Sequence, residues 1–323
     1  MRTMIRSFVS LVAAAILASV SVNAVAQDFP TKPVHIMVGF AAGGTGDTLA
    51  RMLGEKLAQL WGQPVVVENR VGASGTIALE AVARAAPDGY TLGMLNFAHV
   101  VAAELIKLPF KIEADFAPIA GIAQQANILV VNPALPINSV PQLIEYAKAR
   151  PGQLSFASGG AGSPGHVAGE LFKQMTGVEM IHVPYKGGPP ALQDVVAGHV
   201  ALMFAPAPPA LALIKGGKLR ALAVTSGSPS AAMPDLPTLA SSGIDYDVRD
   251  WHGLVGPAGM APALVTKINN DVGKVLAMPE IKDRITAMTG DLLAGTPADF
   301  NRLIAGEAVK WGKVVRQAKI TSN

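Results

Sequence analysis

Residues 34–48, VHIMVGFAAGGTGDT, combine a strand, a glycine turn and the start of a helix. The apolar, β-rich run from Val34 to Phe40 predicts a buried strand. Apolar side chains then recur at helical spacing and predict one buried helix face, formed by Leu49, Met52, Leu53, Leu57 and Leu60. The glycines let the turn present bare backbone N–H groups, and Asp47 or Thr45 is expected to cap the helix. Bare amides beside a helix dipole favour an anion, although glycine could also be needed only for the dihedral angles of a tight turn.

A second unit of the same kind follows further along the chain. Leu154–Ser158 predicts a strand, residues 159–163 a glycine-rich turn, and Pro164 the first residue of a helix. Ser163 before Pro164 is a strong helix start, because serine suits the cap and proline the first helical position. The buried stripe of this helix is expected to contain Val167, Ala168, Leu171, Phe172 and Met175. Two amide-rich helix starts that face each other would form a cleft for a small anion.

The first 26 residues predict a secretory signal peptide. Arg2 and Arg6 precede an apolar run over residues 8–20, and small residues at 24–26 indicate cleavage near Ala26 and a periplasmic location. Cleavage would remove two arginines and no acids, so the formal charge would fall from +3 to +1. Such a chain lacks the basic patch that nucleic acid requires. Because the sequence contains no cysteine, we expect neither a disulfide nor a lipid-modified N-terminal cysteine.

The remaining 297 residues (323 − 26) exceed a usual single core, and two domains are expected. Alternating strands and helices predict mainly parallel sheets flanked by helices. Residues 133–136 and 247–255 read as two crossings between domains. The predicted division is therefore domain 1 over 27–130 and 248–323, with domain 2, residues 131–247, inserted in it. Ligands bind beyond the carboxyl ends of such strands, which places Asn96, after the strand 90–95, on the same rim as residues 40–47.

Enzyme and cofactor functions are not expected. Residues 161–165 superficially resemble a hydrolase nucleophile elbow, but Pro164 has no N–H to donate to an oxyanion. The dinucleotide-binding glycine pattern is incomplete, because Leu49 occupies the place of its third glycine. The six histidines lack metal-ligand spacing, and only His166, in the first turn of a loop helix, is a candidate for ligand binding.

Several motifs resemble those of one family, the periplasmic solute-binding proteins of tripartite tricarboxylate transporters, also called the Bordetella uptake gene family. The matching segments cover essentially the whole mature chain and are Phe40–Asp47, Gln63–Arg70, Ala86–Leu92, Gly165–Phe172, His182–Gly188 and Gly217–Thr225. The resemblance implies an α/β, two-lobed, flytrap-like periplasmic-binding-protein fold joined by two crossing strands. It also implies capture of a small organic acid and its delivery to a cation-coupled permease of two integral membrane subunits. A monomer is expected.

In this family the two glycine loops bind a ligand carboxylate. Carried over, the resemblance implies one set of contacts from the first loop, Phe40, Ala42, Gly43, Thr45 and Asp47, and a second set, Ser158, Gly159, Gly162, Ser163 and His166. The residues themselves add Gly44 in the first turn, Asn96 on the rim, and Tyr185, which lines the cleft or makes a turn.

One departure from the family pattern concerns the ligand. Family members often have Phe-Asp-Asn after a strand that here ends at Phe204, where this chain has Ala205 and Pro206. Without that acidic group, Ala205 is expected to form an apolar pocket wall that disfavours an amino-acid ligand. A mono- or dicarboxylate, aromatic acids included, is therefore expected. The alternative function is a sensor component that presents the loaded protein to a membrane signalling partner.

Overall fold

The computed structural model describes residues 29–72, 75–230, 233–318 and 320, so the predicted signal peptide lies outside the described residues. Residues 32–323 form one compact unit. Its strands, in chain order, are β1 Val34–Val38, β2 Val65–Asn69, β3 Thr91–Asn96, β4 Phe116–Val131, β5 Leu154–Ser158, β6 Met180–Pro184, β7 Leu202–Pro206, β8 Arg220–Val224, β9 Arg249–Pro257 and β10 Gly290–Leu292.

Helices follow most of these strands. In chain order they are α1 Thr45–Trp61, α2 Thr76–Ala83, α3 Phe97–Leu105, α4 Ile112–Asp115, α5 Val140–Lys148, α6 Pro164–Thr176, α7 Gly188–Ala197, α8 Ala207–Lys215, α9 Pro262–Leu276, α10 Pro279–Ala287 and α11 Pro297–Gln317. A short 3₁₀ turn, Ala240–Ser242, precedes β9.

The strands form two groups of parallel strands, and two long antiparallel strands, β9 and β4, lie between these groups. The order is β2-β1-β3-β9-β4-β7-β5-β6, with β10 and β8 also paired to β4. On one side β1 pairs in parallel with β2 and β3, and on the other β5 pairs in parallel with β6 and β7. Each parallel strand is followed by a helix, either directly or after a loop, which brings the helix starts and these loops to the carboxyl ends of the strands.

β4 passes from one group to the other in its middle. Its residues 116–126 pair with β9, whereas Asn127–Val131 pair with β7. The chain thus changes strand group within β4, before residues 133–136 rather than within them. β9 overlaps the segment 247–255, in which the return crossing is predicted. The division into an outer and an inserted domain stays a prediction.

Some local predictions were wrong. Leu60 is 44% exposed and Met175 39% exposed, so these two residues lie at the edges of the buried stripes rather than within them. The first helix begins after Gly44, which makes no side-chain capping bond, and neither Thr45 nor Asp47 caps it. The start of α6 was predicted correctly, because the Ser163 side chain accepts a hydrogen bond from the backbone of His166 and Pro164 opens the helix.

The C-terminal helix α11 holds α3 in place. The Trp311 ring meets the Phe97 ring edge to face, with centroids 4.9 Å apart, and both side chains are fully buried. Glu307 on α11 accepts hydrogen bonds from two indole N–H groups, those of Trp311 at 2.7 Å and Trp251 at 3.1 Å. Trp251 is thus a core residue of β9. This packing positions α3, which forms part of the site.

Candidate functional site

The first glycine loop, residues 40–44, leaves β1 and ends at the start of α1. Residues 41–44, which include the predicted contacts Ala42, Gly43 and Gly44, are exposed. Gly43 has φ +83°, a left-handed conformation that favours glycine. The N-cap of α1 provides no side-chain acceptor, so the first-turn N–H groups keep the partial positive charge of a bare helix start.

Asp47 lies behind this loop and fastens it. Its carboxylate accepts hydrogen bonds from the Gly43 N–H at 2.9 Å, from Arg51 Nε at 3.0 Å and from Asn69 Nδ2 at 2.8 Å. Burial alone would raise the pKa of Asp47, but these hydrogen bonds and the Arg51 charge outweigh it and hold the pKa at about 2. Asn69 also donates to the carbonyl of Phe40 at 3.0 Å. Asp47 therefore fixes the conformation of the loop, and the Arg51 side chain is held in the same hydrogen-bond network.

Asn96 is the N-cap residue of α3, and its side chain is used in capping that helix. Its side chain accepts from the His99 backbone at 3.4 Å, and His99 Nδ1 accepts from the Asn96 N–H at 3.1 Å. Desolvation is the largest influence on His99 and lowers its pKa to about 4, so its ring is neutral at physiological pH. The His99 ring meets the Phe40 ring edge to face at 5.4 Å. The first loop and α3 are thereby packed together.

The second glycine loop, residues 159–163, is bonded largely within itself. The Ser158 hydroxyl accepts from the Gly160 N–H at 3.1 Å, and His166 Nδ1 accepts from the Gly162 N–H at 3.0 Å. The Ser163 N–H donates to the Gly160 carbonyl at 3.2 Å. Three N–H groups of this loop are therefore already used, which leaves fewer for a ligand than the sequence suggests.

A stack of aromatic rings supports the second loop from below. The His166 and His182 rings lie 3.7 Å apart and nearly parallel, and Phe156 stacks on His182 at 4.9 Å. Ser158 Oγ lies 2.6 Å from His182 Nε2. The pKa of His166 is lowered to about 3, mainly by desolvation and further by its interactions with His182 and Lys173. The pKa of His182 is lowered to about 4 by desolvation and by the Lys173 charge. Both imidazoles are neutral at physiological pH.

A cavity of about 240 Å³ lies between elements of the two strand groups. One wall is Phe40 with α3, and the other is the second loop with the start of α6. Its lining residues are Phe40, Ala98, Ala102, Leu105, Ile106, Gly159, Ala161, Gly162, Ser163 and Pro164. None of these described lining residues carries a charge. The first turns of α3 and α6 both reach the cavity, so their dipoles favour a guest with negative charge.

The remaining predicted site residues lie elsewhere. Tyr185 donates from its hydroxyl to Asp194 at 2.6 Å, and desolvation together with that bond raises its pKa to about 12. Ala205, in β7, is fully buried in an apolar cluster, and its role as a pocket wall stays a prediction. Thr45 lines a second, smaller pocket with His252. Of the fourteen predicted residues, the structure brings Phe40, Gly159, Gly162 and Ser163 together around the cavity.

The described residues hold no group of three or more His, Cys, Asp or Glu side chains placed to bind a metal ion. Within the same residues, no helix has the length and apolar character needed to cross a membrane.

Comparison with known proteins gives the family. The family model described as tripartite tricarboxylate transporter family receptor matches residues 49–320. The chain belongs to this family of receptors. It is 35% identical to the protein BugT of Bordetella pertussis over 296 residues, which are 90% of this chain and 91% of that protein.

Solved structures of similar proteins agree with the fold. R. palustris Rpa4515, solved with adipate, is 35% identical, covers 91% of this chain and 100% of its own, and superposes with a TM-score of 0.80. The periplasmic binding protein BugD is 31% identical over 91% of this chain and 100% of its own, with a TM-score of 0.75. The predicted two-lobed α/β fold is confirmed. As a member of this receptor family, the chain is a solute-binding protein and not an enzyme.

Sequence reasoning missed the part of the site that α3 provides. The segment after Asn96 has apolar side chains on several faces and no turn residue before it, so no helical stripe marks it. The signal that was present is the pair Asn96 and His99, because an N-cap residue followed three positions later by a side-chain acceptor is typical of a capping box.

Proposed function

We propose that this chain is exported to the periplasm with cleavage near Ala26, and that as a monomer it captures a small organic carboxylate between its lobes. The loaded receptor delivers that acid to a transporter with two integral membrane subunits. The observation that carries the proposal is the uncharged cavity between Phe40 with α3 and the second glycine loop, because helix starts and backbone amides reach it from both sides.

The strength of such a site follows from its donors. A hydrogen bond from an amide to a charged acceptor is worth about 1.5–3 kcal/mol. Each helix start adds about 0.3–1 kcal/mol, and up to roughly 2 where it is partly buried. A few such contacts, offset by the cost of ordering the lobes, support a dissociation constant of about 1 µM. Closure of the lobes is then driven by contacts that the ligand makes to both of them.

The ligand class that we propose is a mono- or dicarboxylate without an ammonium group, aromatic acids included. A similar protein is solved with adipate, a dicarboxylate without an amino group. In this chain Ala205 and Pro206 stand where family members often carry an acidic side chain that would suit an ammonium, and no charged side chain is found among the lining residues.

The proposal is tested by titration calorimetry of the purified mature chain with a panel of aliphatic and aromatic acids, together with aspartate and glutamate. We expect at least one plain carboxylate to bind and to raise the melting temperature. Failure of every acid would contradict the function, and tighter binding of aspartate or glutamate would contradict the ligand class. Deletion of the gene should abolish uptake of the acid that binds; a change in gene expression alone would favour the sensor function instead.

A further inference from the structure

A second pocket lies where β4 and β9 cross between the strand groups. Thr45 at the start of α1, Gln125 on β4, and Asp250 and His252 on β9 line it, together with apolar side chains. Its volume is about 10 Å³. That space holds roughly one water-sized group, so the pocket suits a single oxygen or nitrogen atom and no larger substituent.

Three side-chain atoms of residues that line this pocket are buried without hydrogen-bond partners. His252 is 3% exposed, and within the described part of the chain neither of its ring nitrogens makes a hydrogen bond. The same holds for Oδ1 of Asp250. His252 Nε2 lies 3.6 Å from Asp250 Oδ2, which is too long for a direct hydrogen bond. Buried polar groups are nearly always paired, so this arrangement points to a bound group that supplies the missing bonds.

The pocket and the proposed carboxylate site both use the chain segment of the first glycine loop. The segment from Phe40 to Thr45 joins the two, because its first residue lines the cavity and its last residue lines the pocket. The His252 ring faces the first turn of α1, since a Cβ at Gly46 would lie 3.5 Å from His252 Nδ1. His252 lies on β9 and pairs there with Asn96 of the neighbouring strand β3, the residue that precedes α3. His252 therefore lies against the starts of α1 and α3, and the first turn of α3 also reaches the proposed carboxylate site.

We propose that this pocket binds a hydroxyl group of the ligand, so that the receptor selects hydroxy acids over the same acids without the hydroxyl. This inference rests on the proposed function. A hydroxyl both donates and accepts, and the pocket offers both complements: Asp250 Oδ1 accepts, and the imidazole of His252 has an N–H to donate. Gln125 Nε2, which lies 3.5 Å from Thr45 Oγ1, supplies a further donor.

Two other occupants fit less well. A second carboxylate is too large for the space and would meet the negative charge of Asp250. A carbonyl oxygen cannot donate to Asp250. An ammonium could bond to Asp250 and to the bare nitrogen of a neutral His252, so each series in the test includes the amino acid.

The test compares acids that differ at one substituent. Titration calorimetry is carried out with two matched series, succinate, malate and aspartate, and 3-phenylpropionate, 3-phenyllactate and phenylalanine. In at least one series we expect the hydroxy acid to bind about 10-fold more tightly than its unsubstituted parent, as one well-formed hydrogen bond to a buried partner allows.

Variants assign that preference to the pocket. His252→Phe should reduce the preference to about 2-fold or less, because the imidazole N–H that donates to the hydroxyl is lost. His252→Gln, which keeps a donor and an acceptor, should retain more of it. Asp250→Asn is the second variant if His252→Phe does not fold, and it should also lower the preference. The exposed His199, changed to Phe, is the matched control and should leave the preference unchanged.

The outcomes separate this inference from the proposed function. If the parent acids bind but the hydroxyl brings no gain in either series, or if His252→Phe keeps the gain, the pocket inference is wrong and the function stands. If the amino acids bind most tightly, the pocket is an ammonium site and the inference is also wrong. If no acid of either series or of the wider panel binds, both fall together.

Discussion

The two glycine loops look alike in sequence but are supported by different chemistry. The first is fastened by a charged group, because Asp47 accepts bonds from the loop, from Arg51 and from Asn69. The second rests on neutral imidazoles, with His166 accepting the Gly162 N–H and stacking on His182.

The difference also concerns which amides remain for a ligand. α1 begins at a glycine without a side-chain cap, whereas α6 is capped by Ser163 and its loop uses three of its own N–H groups. A glycine-rich turn before a helix thus identifies a possible anion site, but the number of free donors depends on side chains that the turn itself does not contain.

Removal of the charged support should have the largest effect on stability. Asp47→Ala leaves Asn69 and the Gly43 N–H without their acceptor, and we expect it to lower the free energy of unfolding by about 2–4 kcal/mol. Urea denaturation measures this. The control is Glu80→Ala, which removes an exposed ion pair with Arg84 and should cost less than about 0.5 kcal/mol. Equal effects of the two substitutions would contradict the role given to Asp47.

Removal of the neutral support should cost less. His166→Ala removes the acceptor of the Gly162 N–H and one ring of the stack, for an expected loss of about 2–3 kcal/mol. His166→Phe keeps the stack and should lose only about 1 kcal/mol. If both variants lose the same amount, the stack contributes nothing measurable and the description of the second loop is wrong.

Acid should weaken the second loop before the first. The folded pKa of His166, about 3, lies below its ordinary value of 6.5, so its contribution is complete above pH 6.5 and is lost as the pH falls toward 3. Protonation of His166 changes the free energy of unfolding by at most about 1.4 kcal/mol per pH unit. Asp47, with a pKa of about 2 against an ordinary 3.8, keeps its charge through that range.

Urea denaturation between pH 6 and pH 4.5 measures this difference. The slope of stability against pH should be shallower in His166→Phe than in the unchanged chain. An unchanged slope would show that His166 is protonated in the folded protein, contrary to its buried, stacked position.

A pair of glycine substitutions should give the smallest effect on stability but a clear one on binding. Gly43 and Gly162 both have positive φ, so an alanine at either costs about 1–2 kcal/mol of backbone strain. A Cβ at Gly162 would lie 2.7 Å from Leu105 Cδ1, whereas one at Gly43 meets nothing within 4 Å. Gly162→Ala should therefore weaken acid binding by about 10-fold more than Gly43→Ala, since it alters the cavity wall. Equal losses in calorimetry would indicate that strain alone is responsible.

Most of the fold could be predicted because its elements carry local signals. Ser163 with Pro164, and Thr296 with Pro297, mark helix starts that the structure contains. The first half of β4 could not be recognised, because it contains Pro118, Gly121 and several alanines instead of an alternating pattern. Its strand conformation depends on pairing with β9, which is distant in the chain.

The site was predicted less completely than the fold, for a similar reason. The loops themselves follow from glycines in the sequence, but their supports are long-range: Asn69 reaches Asp47 from another strand, and His182 reaches His166 from β6. The spacing of Asp47 and Arg51 on one helix was the only part of these supports that sequence alone could show.

The central claim is that uncharged peptide N–H groups around one cavity bind the carboxylate of a small organic acid. A crystal structure of the chain with the acid that binds most tightly tests it directly. We predict carboxylate oxygens within about 3.2 Å of backbone nitrogens of the second loop or of the first turns of α3 or α6. A carboxylate bound instead to an arginine or lysine side chain, or at a place outside the cavity, would contradict the account.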